Sequence, residues 1–141
     1  MKKLKRGQRS SGVNWELDPE IKKRVNSLIK NLDLEWLSYG RIFFYRSHGS
    51  KARAYARTWG LPRLWQKVLK VEPAYIVEVI SEYFDKLDIR KQDEVLLHEL
   101  SHIPKNFSGS LTPHTRSGNN NFHGKLRELL KNYENNRSSW E

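Results

Sequence analysis

Apolar side chains recur along the chain with two periods. Ile21, Val25, Leu28, Ile29 and Leu32 follow helical spacing behind Asp18-Pro19-Glu20, where a capping Asp precedes a proline at the first helical position and an early acid. This predicts a helix from Asp18 to about Leu34. Residues 41–46 are short, aromatic and bounded by glycines, which predicts a strand, with a turn through 47–50 behind it. In residues 52–59, Arg53, Tyr55, Arg57 and Trp59 alternate with Ala52, Ala54, Ala56 and Thr58, the period of a second strand, although repeated alanines also suit a helix. After the Gly60-Leu61-Pro62 turn, residues 64–68 read as a third short strand. Residues 74–80 are apolar at nearly every position, as in a strand covered on both faces. Leu96, Leu100 and Ile103 then form one helical stripe behind a capping Asp88, and Pro104 ends it. Phe122, Leu126, Leu129, Leu130 and Tyr133 mark a last helix.

This order predicts an α+β fold: an N-terminal helix, a small, mainly antiparallel sheet, a motif helix and a C-terminal helix. Residues 15–134 form one domain, preceded by a basic disordered arm at 1–14 and followed by a polar, fraying tail at 135–141.

A chain of 141 residues with 37% apolar content is long enough to bury a core without covalent staples. There is no cysteine, which excludes disulfides, thiolate metal sites and a cysteine nucleophile. The basic N-terminus lacks a following apolar stretch and no run of about 18 apolar residues occurs, so a soluble, cytoplasmic protein without a membrane span is expected. The net charge of +10 is unevenly placed. Residues 1–12 hold five basic side chains and residues 41–70 hold eight, with no acid in either segment, while the remainder is slightly acidic. The positive field comes from those two stretches.

Within the motif helix, His98-Glu99-Leu100-Ser101-His102 reads H-E-x-x-H. Positions four apart on a helix lie about 40° from each other around its axis, so His98 and His102 can offer two imidazole nitrogens to one ion. Glu99, about 100° from His98, reaches a water beside that ion as general base. Two neutral nitrogen ligands, a carboxylate base and an open coordination position are the requirements of metal-assisted amide hydrolysis. A catalytic zinc ion usually takes a third protein ligand, for which the downstream candidates are His114, His123 and an acid such as Glu128. His48, in a turn, reads as a solvated residue.

Arg53-Ala54-Tyr55-Ala56-Arg57, the block at 73–80, and above all His98-Glu99-Leu100-Ser101-His102-Ile103-Pro104 with Phe107-Ser108-Gly109 resemble a metallopeptidase family of archaeal and phage genomes over about residues 21–133. The resemblance implies a minimal zincin-like fold with one zinc ion, held by His98, His102 and a downstream ligand. The layout is also similar to the SprT-like metalloproteases, in which a His-Gly pair opens a helix after the motif; that pattern favours His123, followed by Gly124, over His114. Some members of that group act on proteins attached to DNA, an analogy of fold.

The expected function is therefore a monomeric zinc-dependent peptidase with a peptide or protein substrate, Glu99 as its base, and the strand at 75–80 as the edge that receives an extended substrate. The first alternative is a nucleic-acid-binding module with a structural or vestigial zinc site, in which Arg53, Tyr55, Arg57 and Trp59 present cations and stacking rings on one surface. Another zinc hydrolase, such as an amidase, uses the same chemistry.

Overall fold

The structure is a computed structural model that describes residues 12–113 and 122–140, the side chains of 39, 122–125 and 136–140 excepted. Its elements are β1 (Asn14–Leu17), α1 (Pro19–Asn31), a 3₁₀ turn (Glu35–Tyr39), β2 (Arg41–His48), β3 (Ala56–Gly60), α2 (Arg63–Leu69), β4 (Ala74–Ile80), the short α3 (Ser81–Phe84), α4 (Ile89–Leu100) and α5 (Phe122–Trp140). The α+β expectation is met. Four strands form one mixed sheet in the order β1-β2-β4-β3, with β2 and β4 parallel and the two outer pairings antiparallel.

The helix caps follow the sequence. Asp18 accepts from the Ile21 amide and Asp88 from the Lys91 amide, each satisfying one orphan N–H of a first turn. Several expectations are corrected. Helix α1 stops at Asn31, where Leu32 caps it, rather than at Leu34. The proposed arm contributes Asn14 to β1, and β1 itself was not anticipated because its alternation spans only four residues. Residues 64–68 are helical: Leu64, Trp65, Val68 and Leu69 recur at helical spacing behind Pro62, and Lys70 ends the helix in the left-handed region. Helix α5 runs past Tyr133 to Trp140, so residues 135–140 continue it, and Arg90 of α4 is ion-paired with Glu134 on its flank.

One face of the sheet carries the core. Ile21, Val25, Leu28 and Ile29 of α1, Leu96, Leu97 and Leu100 of α4, and Tyr133 of α5 pack with Phe44 of β2 and Tyr75, Val77 and Val79 of β4. Each such side chain removed from water contributes about 1.5–3 kcal/mol. Asp93 ties the three helices together, pairing with Arg24 of α1 at 2.6 Å and accepting from the Tyr133 hydroxyl at 2.8 Å.

Among the described residues no helix covers the other face. The strand pairings place Trp15, Phe43, Ile76 and Trp59 on it, and each is more than a third exposed. Strand β4 is therefore covered by helices on one face only, contrary to its uniformly apolar sequence. Glu78, on the open face, is 1% exposed because neighbouring side chains fold over it.

Candidate metal centre

Helix α4 is oriented by Leu96, Leu97, Leu100 and the following Ile103, all fully buried, which leaves His98 and His102 half-buried on the adjoining line. The regular helix ends at Leu100, and His102 lies just past its cap Ser101 in tighter geometry: its amide donates to Glu99 O and the Ile103 amide to Leu100 O, both three residues back. The two imidazole rings are 5.2 Å apart, inclined at 74°. One ligand atom each from His98, Glu99 and His102 lie within 4.8 Å of one another.

The tautomer of His102 follows from its partner. Nδ1 stands 2.7 Å from Thr112 O, and a carbonyl can only accept, so Nδ1 carries the proton and Nε2 the lone pair. A ligating histidine needs this arrangement, since the second hydrogen bond orients the ring and raises its basicity. The Thr112 amide in turn donates to His102 O at 2.7 Å, so the segment after the motif is hydrogen-bonded back onto it.

That segment is anchored to the sheet. Tyr75 accepts from the Gly109 amide and donates to Ser110 O, both at 2.7 Å, and burial pushes its hydroxyl pKa up, keeping the proton it donates. Gln66 of α2 donates to Ser108 O. Phe107, at a positive φ of 49°, stacks edge-on to Tyr75 and fills the space over Gly40, where a Cβ would come within 2.2 Å of the ring. Only glycine fits position 40 while Phe107 stays in place.

Glu99 is 7% exposed. The Thr58 hydroxyl of β3 lies 2.8 Å from Glu99 Oε1 and 3.1 Å from Glu99 O, and its one proton serves the shorter contact. Burial dominates the carboxyl and pushes its pKa up to about 7, with the Thr58 hydrogen bond opposing. A cation placed beside it would favour the charged form again. His98 and Glu99 open onto a cleft of about 1040 Å³, whose other walls include Arg53, Tyr55, Tyr83, Val95 and Leu130.

The expected site residues are thus sorted. His98, Glu99 and His102 come together. His114 lies outside the described residues; His123 is in the first turn of α5, and its side chain lies outside them. Glu128 is exposed and is not among the clustered donors. His48 ends β2 rather than occupying a turn, exposed, with Nε2 3.5 Å from Glu16 Oε1. The quartet of Arg53, Tyr55, Arg57 and Trp59 does not form one surface: the first two precede β3 and line the cleft, while the last two lie on the open sheet face. Thr58, Tyr75, Gln66 and Thr112 were not anticipated as supports of the site. The alternation did assign Thr58 to the side opposite Trp59, but its partner is 41 residues away.

The profile of one protein family, described as putative phage metallopeptidase, matches residues 13–131. The chain belongs to this family. No curated protein matches it, and no solved structure does. Among the described residues no helix is long and apolar enough to cross a membrane.

The donor set fits the metal that this family's description implies. Two imidazoles converge, one with its tautomer set by a carbonyl, and a carboxylate stands between them in sequence.

Proposed function

We propose that this family member is a zinc-dependent peptidase, with His98 and His102 as metal ligands, His123 or His114 as the third, and Glu99 as general base. The observation that carries the reading is the convergence of His98, Glu99 and His102, with Glu99 buried and held by Thr58 and His102 held by Thr112. An all-nitrogen ligand set without thiolates favours zinc among the metals of hydrolases. When bound, zinc supplies Lewis acidity to a scissile carbonyl and to a water molecule. Glu99 takes the proton of the attacking water and returns it to the leaving amide nitrogen, so that its carboxylate serves first as base and then as acid. Thr58 holds one carboxylate oxygen at a fixed position during both transfers.

The strand that receives substrate is β3 rather than the segment at 75–80. Among the described strands β4 is central, paired on both sides, whereas β3 is an edge and is joined to Glu99 through Thr58. An extended peptide adding to the β3 edge runs alongside the motif helix, with main-chain hydrogen bonds supplying affinity. Tyr55, Tyr83, Val95 and Leu130 give the adjoining cleft an apolar lining suited to a large substrate side chain.

The test is elemental analysis and hydrolysis of a denatured protein substrate by the purified full chain. About one zinc per chain is expected, lost in His102→Ala and in one of His114→Ala and His123→Ala. Glu99→Gln should keep the metal and lose turnover. Metal-loaded wild type without hydrolysis of any peptide or simple amide would overturn the reading.

A further inference from the structure

We propose that the open face of the sheet binds single-stranded nucleic acid, with aromatic rings as stacking platforms and arginines as phosphate contacts. The face is built by strand register. Phe43 of β2 and Trp59 of β3 flank Ile76 of β4 in one row, about 10 Å apart at ordinary strand spacing, and Trp15 of β1 lies on the same side. Trp15 is 54% exposed, Trp59 46% and Phe43 42%. Large rings left half in water on three strands of one sheet face are exposed apolar surface of the kind that marks an interaction site.

The chemistry of the occupant follows from the charges among those rings. The guanidinium of Arg57 sits 4.8 Å from the Trp59 ring centroid and that of Arg41 sits 5.8 Å from the Phe43 centroid. Among the described residues, the one acid that the strands place on this face, Glu78, is 1% exposed. It is occupied by Arg57 Nε at 2.8 Å, Trp59 Nε1 at 2.8 Å and Trp15 Nε1 at 3.1 Å, so it orders the rings and presents little charge outward. Residues 1–11, which lead into β1, contain five basic side chains and no acid, and the acid-free segment 41–70 supplies β2 and β3. A ligand that is polyanionic and carries exposed π-faces complements all of these features, and an unpaired polynucleotide has both. A duplex hides its π-faces in the stack. A second copy of this chain would bring like charges together.

The face lies across the sheet from the metal centre, so binding there is separable from hydrolysis. The test is fluorescence anisotropy of the full chain with a fluorescein-labelled oligothymidine of about 20 nucleotides. Binding should weaken steeply between about 50 and 200 mM salt. Phe43→Leu removes a ring that holds no hydrogen bond while keeping apolar volume, and should weaken binding about tenfold. Trp59→Phe, which keeps a ring, should stay closer to wild type than Trp59→Leu, and Arg41→Gln should flatten the salt dependence. Glu99→Gln should bind like wild type, so a failed peptidase assignment leaves this result intact. Equal affinity of wild type and Phe43→Leu would overturn the proposal and leave only diffuse attraction to the basic segments. So would equal affinity for the matching duplex, or a Phe43→Leu effect confined to self-association or to binding of phosphatidylserine vesicles.

Discussion

Two glutamates are buried on opposite faces of the same sheet, and their surroundings push them in opposite directions. Glu78 lies under a single layer of side chains that are themselves exposed. Burial there acts to raise its pKa, but the hydrogen bonds of Arg57, Trp59 and Trp15 outweigh it and hold the carboxyl below its ordinary value. Glu99 lies between helix and sheet with the Thr58 hydroxyl as its side-chain donor among the described residues, and burial wins. Accessibility alone does not decide the state of a carboxylate; the donors around it do. A saturated carboxylate is a structural fixture, whereas one whose donors are withheld retains the capacity to exchange a proton.

The most severe way to break this contrast is Glu99→Gln, which should lower peptide hydrolysis by about 100-fold to 10,000-fold while metal content and unfolding midpoint stay near wild type. Elemental analysis, a turnover assay and thermal denaturation on one preparation measure all three. Glu78→Ala should do the reverse. It leaves the Arg57 guanidinium and two indole N–H groups without their acceptor, and should cost about 2–4 kcal/mol in chemical denaturation with the rate per folded, metal-loaded molecule unchanged. A loss of activity larger than the loss of folded protein would show that the open face also serves the reaction.

A smaller effect is expected at Thr58→Val, which removes the hydroxyl and keeps the shape. It should lower kcat about tenfold with KM unchanged, and Thr58→Ser should restore the rate. An unaltered kcat would make the hydroxyl a packing feature. The mildest test is the pH dependence of stability in chelator-treated protein. Glu78, with its folded pKa depressed, contributes stability that is present above its ordinary value of 4.5 and is lost as pH falls through the folded value. Glu99, with its folded pKa raised, contributes stability that is present below 4.5 and is lost as pH rises toward about 7. Compared with wild type, Glu78→Gln should therefore remove a rising slope below pH 4.5, and Glu99→Gln a falling slope between pH 4.5 and about 7.

Much of the site was legible because its information is local. The H-E-x-x-H pentad, the apolar stripe of Leu96, Leu100 and Ile103 and the cap at Asp88 lie within sixteen consecutive residues, and a helix converts spacing directly into geometry. The Asp18 cap and the start of α1 were legible for the same reason. The sheet was less so. Residues 64–68 carry a pattern too short to separate strand from helix, and β1 alternates over only four residues, too few for a periodic signal. Strand β4, the most apolar, takes the centre between β2 and β3, since a strand with few polar groups is best placed where both of its edges are paired.

The sequence by itself determined the clustering of His98, Glu99 and His102, the helix that carries them and the concentration of positive charge in two segments. Only the tertiary structure decided that Thr58 reaches Glu99 and that Tyr75 anchors the loop from which Thr112 sets the tautomer of His102. It also divided the expected cationic-aromatic quartet between a cleft and an open face. These contacts join residues 10 to 41 positions apart through the sheet register, and register is a property of all four strands together, which no local pattern contains.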